Sequence, residues 1–249
     1  MTLALHAATV KKRTAEILRD VTLTCEAGQL SVICGPNGAG KTTALSLLTG
    51  AEQPSRGKAT LDGTELRTIA RGELARRRAV VAQQHRLNFP FQVEEVVAMG
   101  RAPHEGRTSP AQDRAIRQQA MELLDLTHMA DRNYLTLSGG EKQRVMIARA
   151  LVQVWEEPEG MTRWLLLDEP TAALDLKYQL LLMKRLVALA ADGWGILAIL
   201  HDLPLVKAYA DHVILLKDGA LVNQGSPDKV LTPTEIANAY GLDEPYNLD

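Results

Sequence analysis

Apolar and polar positions along the chain separate into strand-like and helix-like runs. Residues 2–10 and 21–25 predict strands, with the cluster Lys11-Lys12-Arg13 as a solvated turn between them. Gln29 to Cys34 predicts a buried strand, and Thr43 to Gly50 predicts a helix that stops at Gly50. Gly57 to Gly63 predicts a short strand ending in an Asp-Gly turn. A helical segment follows over Glu73–Arg78, with Arg76-Arg77-Arg78 as a solvated basic face. Ala79 to Gln83 predicts the next strand, and a loop with Phe89-Pro90-Phe91 comes after it.

The pattern then changes period. Val93–Met99 predicts a helix capped by Gly100, and 110–126 a helix with Ala115, Ile116, Ala120, Leu123 and Leu124 on one side. Glu141 to Val154 continues as a helix. Residues 88–157 therefore predict a mostly helical insertion between strand-rich halves. Beyond it, Trp164 to Asp168 and Gly195 to Leu200 predict buried strands separated by a helix over Leu176–Ala191. Val213–Leu216 and Ala220–Val222 predict a hairpin, and Ser226-Pro227 and Thr232-Pro233 start two short closing helices.

Composition narrows the class. The 249 residues are 46% hydrophobic and 23% charged, enough for one large α/β domain or two small ones. A net charge of −2 and 4% aromatics give no reason to expect nucleic-acid binding. No apolar run approaches the ~18–20 residues of a membrane span, and no signal-peptide pattern opens the sequence. The expectation is a cytosolic protein with Cys25 and Cys34 as buried, reduced thiols. His6, His85, His104, His128 and His212 have no ligand spacing and are expected to be structural or exposed.

The chemistry concentrates in a few stretches. Gly35-Pro36-Asn37-Gly38-Ala39-Gly40-Lys41-Thr42-Thr43 fits the phosphate-binding loop pattern G-x-x-x-x-G-K-[ST], set between a strand and a helix as that motif requires. Its glycines permit backbone angles that turn N–H groups onto a polyphosphate at a helix N-terminus. Lys41 is placed for the β- and γ-phosphates and the Thr42 hydroxyl for Mg²⁺. The run Trp164-Leu165-Leu166-Leu167-Asp168-Glu169-Pro170 delivers two carboxylates at a strand end. Asp168 suits Mg²⁺ there, and Glu169 suits an attacking water. Ser138-Gly139-Gly140 opens a helix and suits a second phosphate contact, or simply caps that helix. His201 ends another strand of the same pattern and is a candidate for the γ-phosphate.

The order of phosphate loop, glutamine, Leu-Ser-Gly-Gly-Glu, Leu-Leu-Leu-Asp-Glu-Pro, Leu-Asp and histidine resembles the ATP-binding cassette (ABC) ATPases across essentially the whole chain. The resemblance implies an α/β P-loop NTPase with a RecA-like core, an N-terminal antiparallel β subdomain and an inserted helical subdomain. It implies one domain over 1–249, with 1–87 and 158–249 as nucleotide-binding core and 88–157 as helical subdomain. It implies ATP and Mg²⁺ as cofactors. Glu169 would be the catalytic base, Gln83 would contact Mg²⁺ and the attacking water, and His201 would be the switch histidine. Ser138, Gly139 and Gly140 would be the signature motif, and Asp175 the dimer-contact aspartate. Two copies would pack head to tail, each ATP lying between Lys41 of one and Ser138 of the other. The family usually stacks adenine on an aromatic near the N-terminus, where this chain offers Val10. Ala172 stands where a serine is common, and Lys142 where glutamine is frequent.

Two stretches are similar to narrower groups. Phe89 to Arg101 resembles importers of iron chelates, haem and vitamin B12. The link Gln153 to Trp164 is longer than usual, carries Trp155, and resembles that of the haemin-import ATPases. The implied function is the ATP-hydrolysing subunit of a haem importer, peripheral on the cytoplasmic face of the bacterial inner membrane. Its partners would be a second copy, two transmembrane permease subunits and a periplasmic haem-binding protein. The alternatives are the same role for a ferric siderophore or vitamin B12, or a soluble cassette ATPase in iron–sulfur cluster assembly or nucleic-acid repair.

Overall fold

The computed structural model describes residues 1–12, 15–83, 87–156 and 160–248. They fall into two compact units, 1–70 with 186–249, and 71–185.

The first unit begins with β1 (Thr2–Lys12) and β2 (Ala15–Glu26), an antiparallel pair in which Leu3 faces Cys25 and Leu5 faces Leu23. From Val21 to Glu26 alternate positions of β2 are buried, the pattern of a sheet with one face in the core. Next come β3 (Leu30–Cys34), α1 (Lys41–Leu48), β4 (Arg56–Leu61) and β5 (Thr64–Glu65). β4 pairs with the free edge of β1, and β5 extends it through an Asp62-Gly63 turn whose residues have φ of 51° and 79°. β3 is buried at all five positions, as a strand covered on both faces must be.

The second unit holds α2 (Arg71–Arg77), β6 (Arg78–Val81), α3 (Val93–Ala98), α4 (Pro110–Leu123), α5 (Gly139–Gln153) and β7 (Trp164–Asp168). β6 and β7 run parallel, with Val81 level with Leu167, so their C-terminal ends leave the sheet at one edge. α5 packs on both α3 and α4. The chain returns to the first unit within α6 (Leu176–Ala191). There follow β8 (Gly195–Ile199), α7 (Leu203–Tyr209), β9 (His212–Lys217), β10 (Ala220–Gly225), α8 (Pro227–Val230) and α9 (Pro233–Tyr240). β3 lies between β8 and β9, parallel to both, and β10 turns back on β9. Among the described residues, no helix is long and apolar enough to cross a membrane.

Several local expectations change. Lys11 and Lys12 belong to β1 and pair with Glu16 and Glu52; Arg13 lies outside the described residues, as do Gln84, His85 and Glu157-Pro158-Glu159. The three arginines do not form one solvated face. A helix hands over to a strand at Arg78, so consecutive side chains point different ways, and Arg77 is buried beside Glu73. Burial lowers the Arg78 pKa to about 10. Gly100 does not cap α3. It lies in a 3₁₀ turn over Met99–His104, where a Cβ would come within 2.0 Å of the Arg149 carbonyl oxygen. On α4, Ala115 is exposed and Met121 is buried beside Ile116 and Ala120. α7 was not expected: its signal is Asp202 as N-cap followed by Pro204 in the first turn. Cys25 and Cys34 are free and buried, and burial raises both thiols to about 12.

Candidate functional site

The phosphate loop fills the turn from β3 into α1. Gly35 has φ 139°, and a Cβ there would come within 2.0 Å of the Leu216 carbonyl oxygen on β9. Gly40 has φ 94° and is the N-cap of α1, with no side-chain capping bond. The α1 N-terminus is thus left without a side-chain cap, the condition for anion binding at a helix start. Lys41 is buried, and its Nζ donates to the carbonyl oxygens of Gly35 and Pro36, each at 2.8 Å. Thr42, Asn37 and Gly38 are exposed. The hairpin turn of β9–β10 supports the loop from behind: the Gly219 N–H donates to the Ala39 carbonyl at 3.2 Å. His201 is exposed, two residues past the end of β8. Because β8 runs parallel beside β3, with Ile199 level with Ile33, His201 leaves the sheet at the edge where the loop begins.

In the second unit, Asp168 closes β7 and is 4% exposed. Glu169 follows with φ 51°, a left-handed conformation that costs a residue other than glycine on the order of 1 kcal/mol. The cost is met in a turn closed by Ala172 N–H to Glu169 C=O at 3.3 Å. Gln83, just past β6, donates its Nε2–H to Glu169 Oε2 at 2.8 Å. The parallel pair β6–β7 therefore brings Gln83 and Glu169 together.

Ser138, Gly139 and Gly140 begin α5 as the sequence predicts. Ser138 is its N-cap: Oγ accepts from Glu141 N–H at 3.3 Å, and Glu141 Oε2 accepts from Ser138 N–H at 2.7 Å. That reciprocal box, mainly through the Ser138 N–H, holds the Glu141 carboxyl below the usual range. A cavity of about 280 Å³ is bounded by Ser138, Gly140, Ala173, Asp175 and Tyr178, so the signature turn and Asp175 share one opening. Gly140 lies against this wall, where a Cβ would be 2.9 Å from the Ala173 carbonyl oxygen.

Sequence reasoning assigned no role to two buried arginines. Arg144 lies 3.9 Å from the Tyr178 ring centre and donates to the carbonyls of Leu124 and Asp125. Arg101 is 5% exposed and donates to Asp113 at 2.8 Å, to Glu156 at 2.6 Å and to the Val152 carbonyl at 2.7 Å. A buried cation needs such full pairing. Burial pulls the Asp113 carboxyl upward, but Thr108 and Arg101 together hold it below its ordinary value. The described part of the long link is tied down around this hub: Trp155 donates to Gln119 at 3.1 Å, and its carbonyl accepts from Arg163. Val10 is buried and offers no face for stacking. Phe89 is 66% exposed, with the half-buried Phe91 ring 6.1 Å away.

Residues 18–172 match the family model described as ABC transporter. The hemin import ATP-binding protein HmuV of Gloeobacter violaceus is 46% identical over 91% of this chain and 82% of its own. That of Pseudomonas entomophila is 44% identical over 94% and 90%. Among solved structures, MJ0796, a bacterial ABC transporter cassette in dimeric form, aligns over 90% of this chain and 98% of its own, with TM-score 0.77 and 27% identity. The cbiO1 protein of Clostridium perfringens, part of the ABC transporter complex cbiONQ, aligns over 95% and 92%, with TM-score 0.78 and 28% identity. With its phosphate loop, paired Gln83 and Glu169 and capped signature turn in a P-loop NTPase fold, the chain belongs to the ABC transporter family.

Proposed function

We propose that the protein is the ATP-hydrolysing subunit of a haem importer. The observation that carries this reading is the 46% identity over 91% of the chain to a hemin import ATP-binding protein, with other relatives of that name at similar identity. The whole chain acts as one ATPase domain, with residues 88–157 as its helical subdomain. It works as a head-to-tail pair at the cytoplasmic face of the inner membrane, bound to two permeases that receive haem from a periplasmic binding protein.

Lys41 and the loop amides take the phosphates of ATP. Thr42, Gln83 and Asp168 suit Mg²⁺, which would shield phosphate charge when bound: all are oxygen donors, the chemistry that ion prefers. Glu169 is the base. Its carboxylate accepts directly from the Gln83 amide, and that contact opens to admit the attacking water, which both groups then orient. His201 contacts the γ-phosphate. Ser138, Gly139, Gly140 and Asp175 meet the nucleotide held by the second copy. Catalysis is then positioning and charge stabilisation, as phosphoryl transfer requires.

Two experiments test this. Glu169→Gln keeps the size and the Gln83 contact but removes the base; ATP still binds, and turnover falls by about 100-fold or more. Turnover near the parent value would remove Glu169 from that role. An iron-starved host with haemin as sole iron source should grow with the parent gene and fail with Lys41→Ala. Failure on a ferric siderophore instead would move the cargo and keep the mechanism.

A further inference from the structure

The phosphate loop is held at its entry by a residue from the far end of the chain. α9 packs on β9, the strand whose Leu216 carbonyl excludes any side chain at Gly35. The Lys217 ammonium at the end of β9 donates to the Asn238 carbonyl and ties α9 down. The last helical residue, Tyr240, then turns its hydroxyl inward. That hydroxyl is buried and faces the Gly35 backbone amide without closing a hydrogen bond of ordinary geometry. Burial raises its pKa to about 12; Cys34 adds to the rise and the Gly35 amide opposes it. A buried hydroxyl without a partner destabilises a fold, and phenylalanine would fill the same space without that cost. The position therefore calls for a reason beyond packing.

Gly35 supplies it. Its carbonyl oxygen is one of the two that hold the Lys41 ammonium. Polyphosphate in the loop competes for that ammonium and releases the Gly35 and Pro36 carbonyls. The backbone at Gly35, with no Cβ and a φ of 139°, is then free to settle against whatever lies behind it.

We propose that Tyr240 is a positioning residue for the phosphate loop: its hydroxyl closes on the Gly35 amide when nucleotide draws Lys41 forward, and so fixes the loop in its ATP-holding form. The inference rests on the reading of this loop as the ATP site. It predicts opposite signs in two measurements on Tyr240→Phe. Without nucleotide, the variant unfolds at the same temperature as the parent or higher, because a buried orphan hydroxyl is gone. With Mg-ATP, its dissociation constant and KM rise by about three- to tenfold, while kcat at saturation stays within about twofold. Those are the effects of losing one hydrogen bond made only in the bound state.

Parent-like ATP affinity in Tyr240→Phe would overturn the proposal. So would weaker affinity accompanied by lower stability of the nucleotide-free protein, since that is a packing role. Tyr240→His, which keeps a polar atom on a shorter ring, should restore part of the lost affinity; no recovery in a variant as stable as Tyr240→Phe would also count against it. Lys41→Ala measured in parallel separates the two levels. If that variant binds ATP as the parent does, the loop itself has been misread; if it fails and Tyr240→Phe does not, only the Tyr240 inference falls.

Discussion

The phosphate loop and the signature turn are both glycine-rich helix starts, yet they are built on opposite plans. At two positions of the loop, glycine is required by collision, and at Gly38 by a φ of 82° alone. Gly35 meets the Leu216 carbonyl, and Gly40, at φ 94°, meets the Leu18 side chain at 2.6 Å. No side chain caps the helix that follows. At the signature turn, neither glycine has a positive φ, and Ser138 and Glu141 form a reciprocal capping box. The first site is a backbone held in an anion-binding shape by its surroundings. The second is an ordinary, well-capped helix whose glycines keep its surface bare. One is shaped by backbone contacts from its surroundings, and the other is shaped by its own cap.

The comparison breaks most directly at Gly35. Gly35→Ala forces a Cβ into a backbone oxygen at 2.0 Å, which no rotamer change relieves. A loss on the order of 3 kcal/mol or more is expected, with no ATP binding in whatever folds. Urea unfolding and nucleotide titration read the two effects. A variant that folds and binds ATP normally would mean that the β9 contact does not define the loop.

The signature glycines give a smaller and more diagnostic contrast. At Gly139 an added Cβ would lie 3.8 Å from the Ala173 Cβ, ordinary contact, so Gly139→Ala should hold or gain up to about 1 kcal/mol of stability through helix propensity. Gly140→Ala must displace the Ala173 carbonyl at 2.9 Å and with it the turn that carries Asp175, so it should lose stability. If the turn is a phosphate surface, both variants lose ATPase activity by about tenfold or more, including the one that is more stable. An active Gly139→Ala protein would leave the bare surface without a ligand.

The same contrast explains what could be read from the chain. The phosphate loop was legible because collision leaves few residue choices, and a narrow choice makes a motif. The acidic strand was legible because β7 is apolar at every position before Asp168. The pairing of Gln83 with Glu169 needed the structure, since the parallel register of β6 with β7 is set by packing across a long sequence gap. Arg77 and Arg101 were misread or passed over for a related reason. Charge in a sequence suggests solvent, and only tertiary partners such as Glu73, Asp113 and Glu156 show a cation to be inside. α7 is only seven residues long and only three residues separate it from β8, too short a run for its period to stand out. The attachment of the described part of the link after α5 to Arg101 and Gln119 was not legible in the sequence.

The smallest effect isolates the cap itself. Glu141 has its carboxyl pKa lowered, chiefly by the Ser138 N–H. A lowered folded-state value means that the carboxylate contributes stability above its ordinary 4.5 and loses it as pH falls through the folded value. Glu141→Ala should therefore cost about 0.5–1 kcal/mol of unfolding free energy from neutral pH down to about 5. The gap to the parent should narrow as the pH drops further. Ser138→Ala should show a similar cost with a weaker pH dependence, because the hydroxyl does not titrate while its partner does. Saturating ATP should leave the Glu141→Ala cost in place if nucleotide uses only the glycine surface. Should ATP erase it, the nucleotide must take over the amides that Ser138 and Glu141 now serve, and the signature turn would be a cap exchanged on binding.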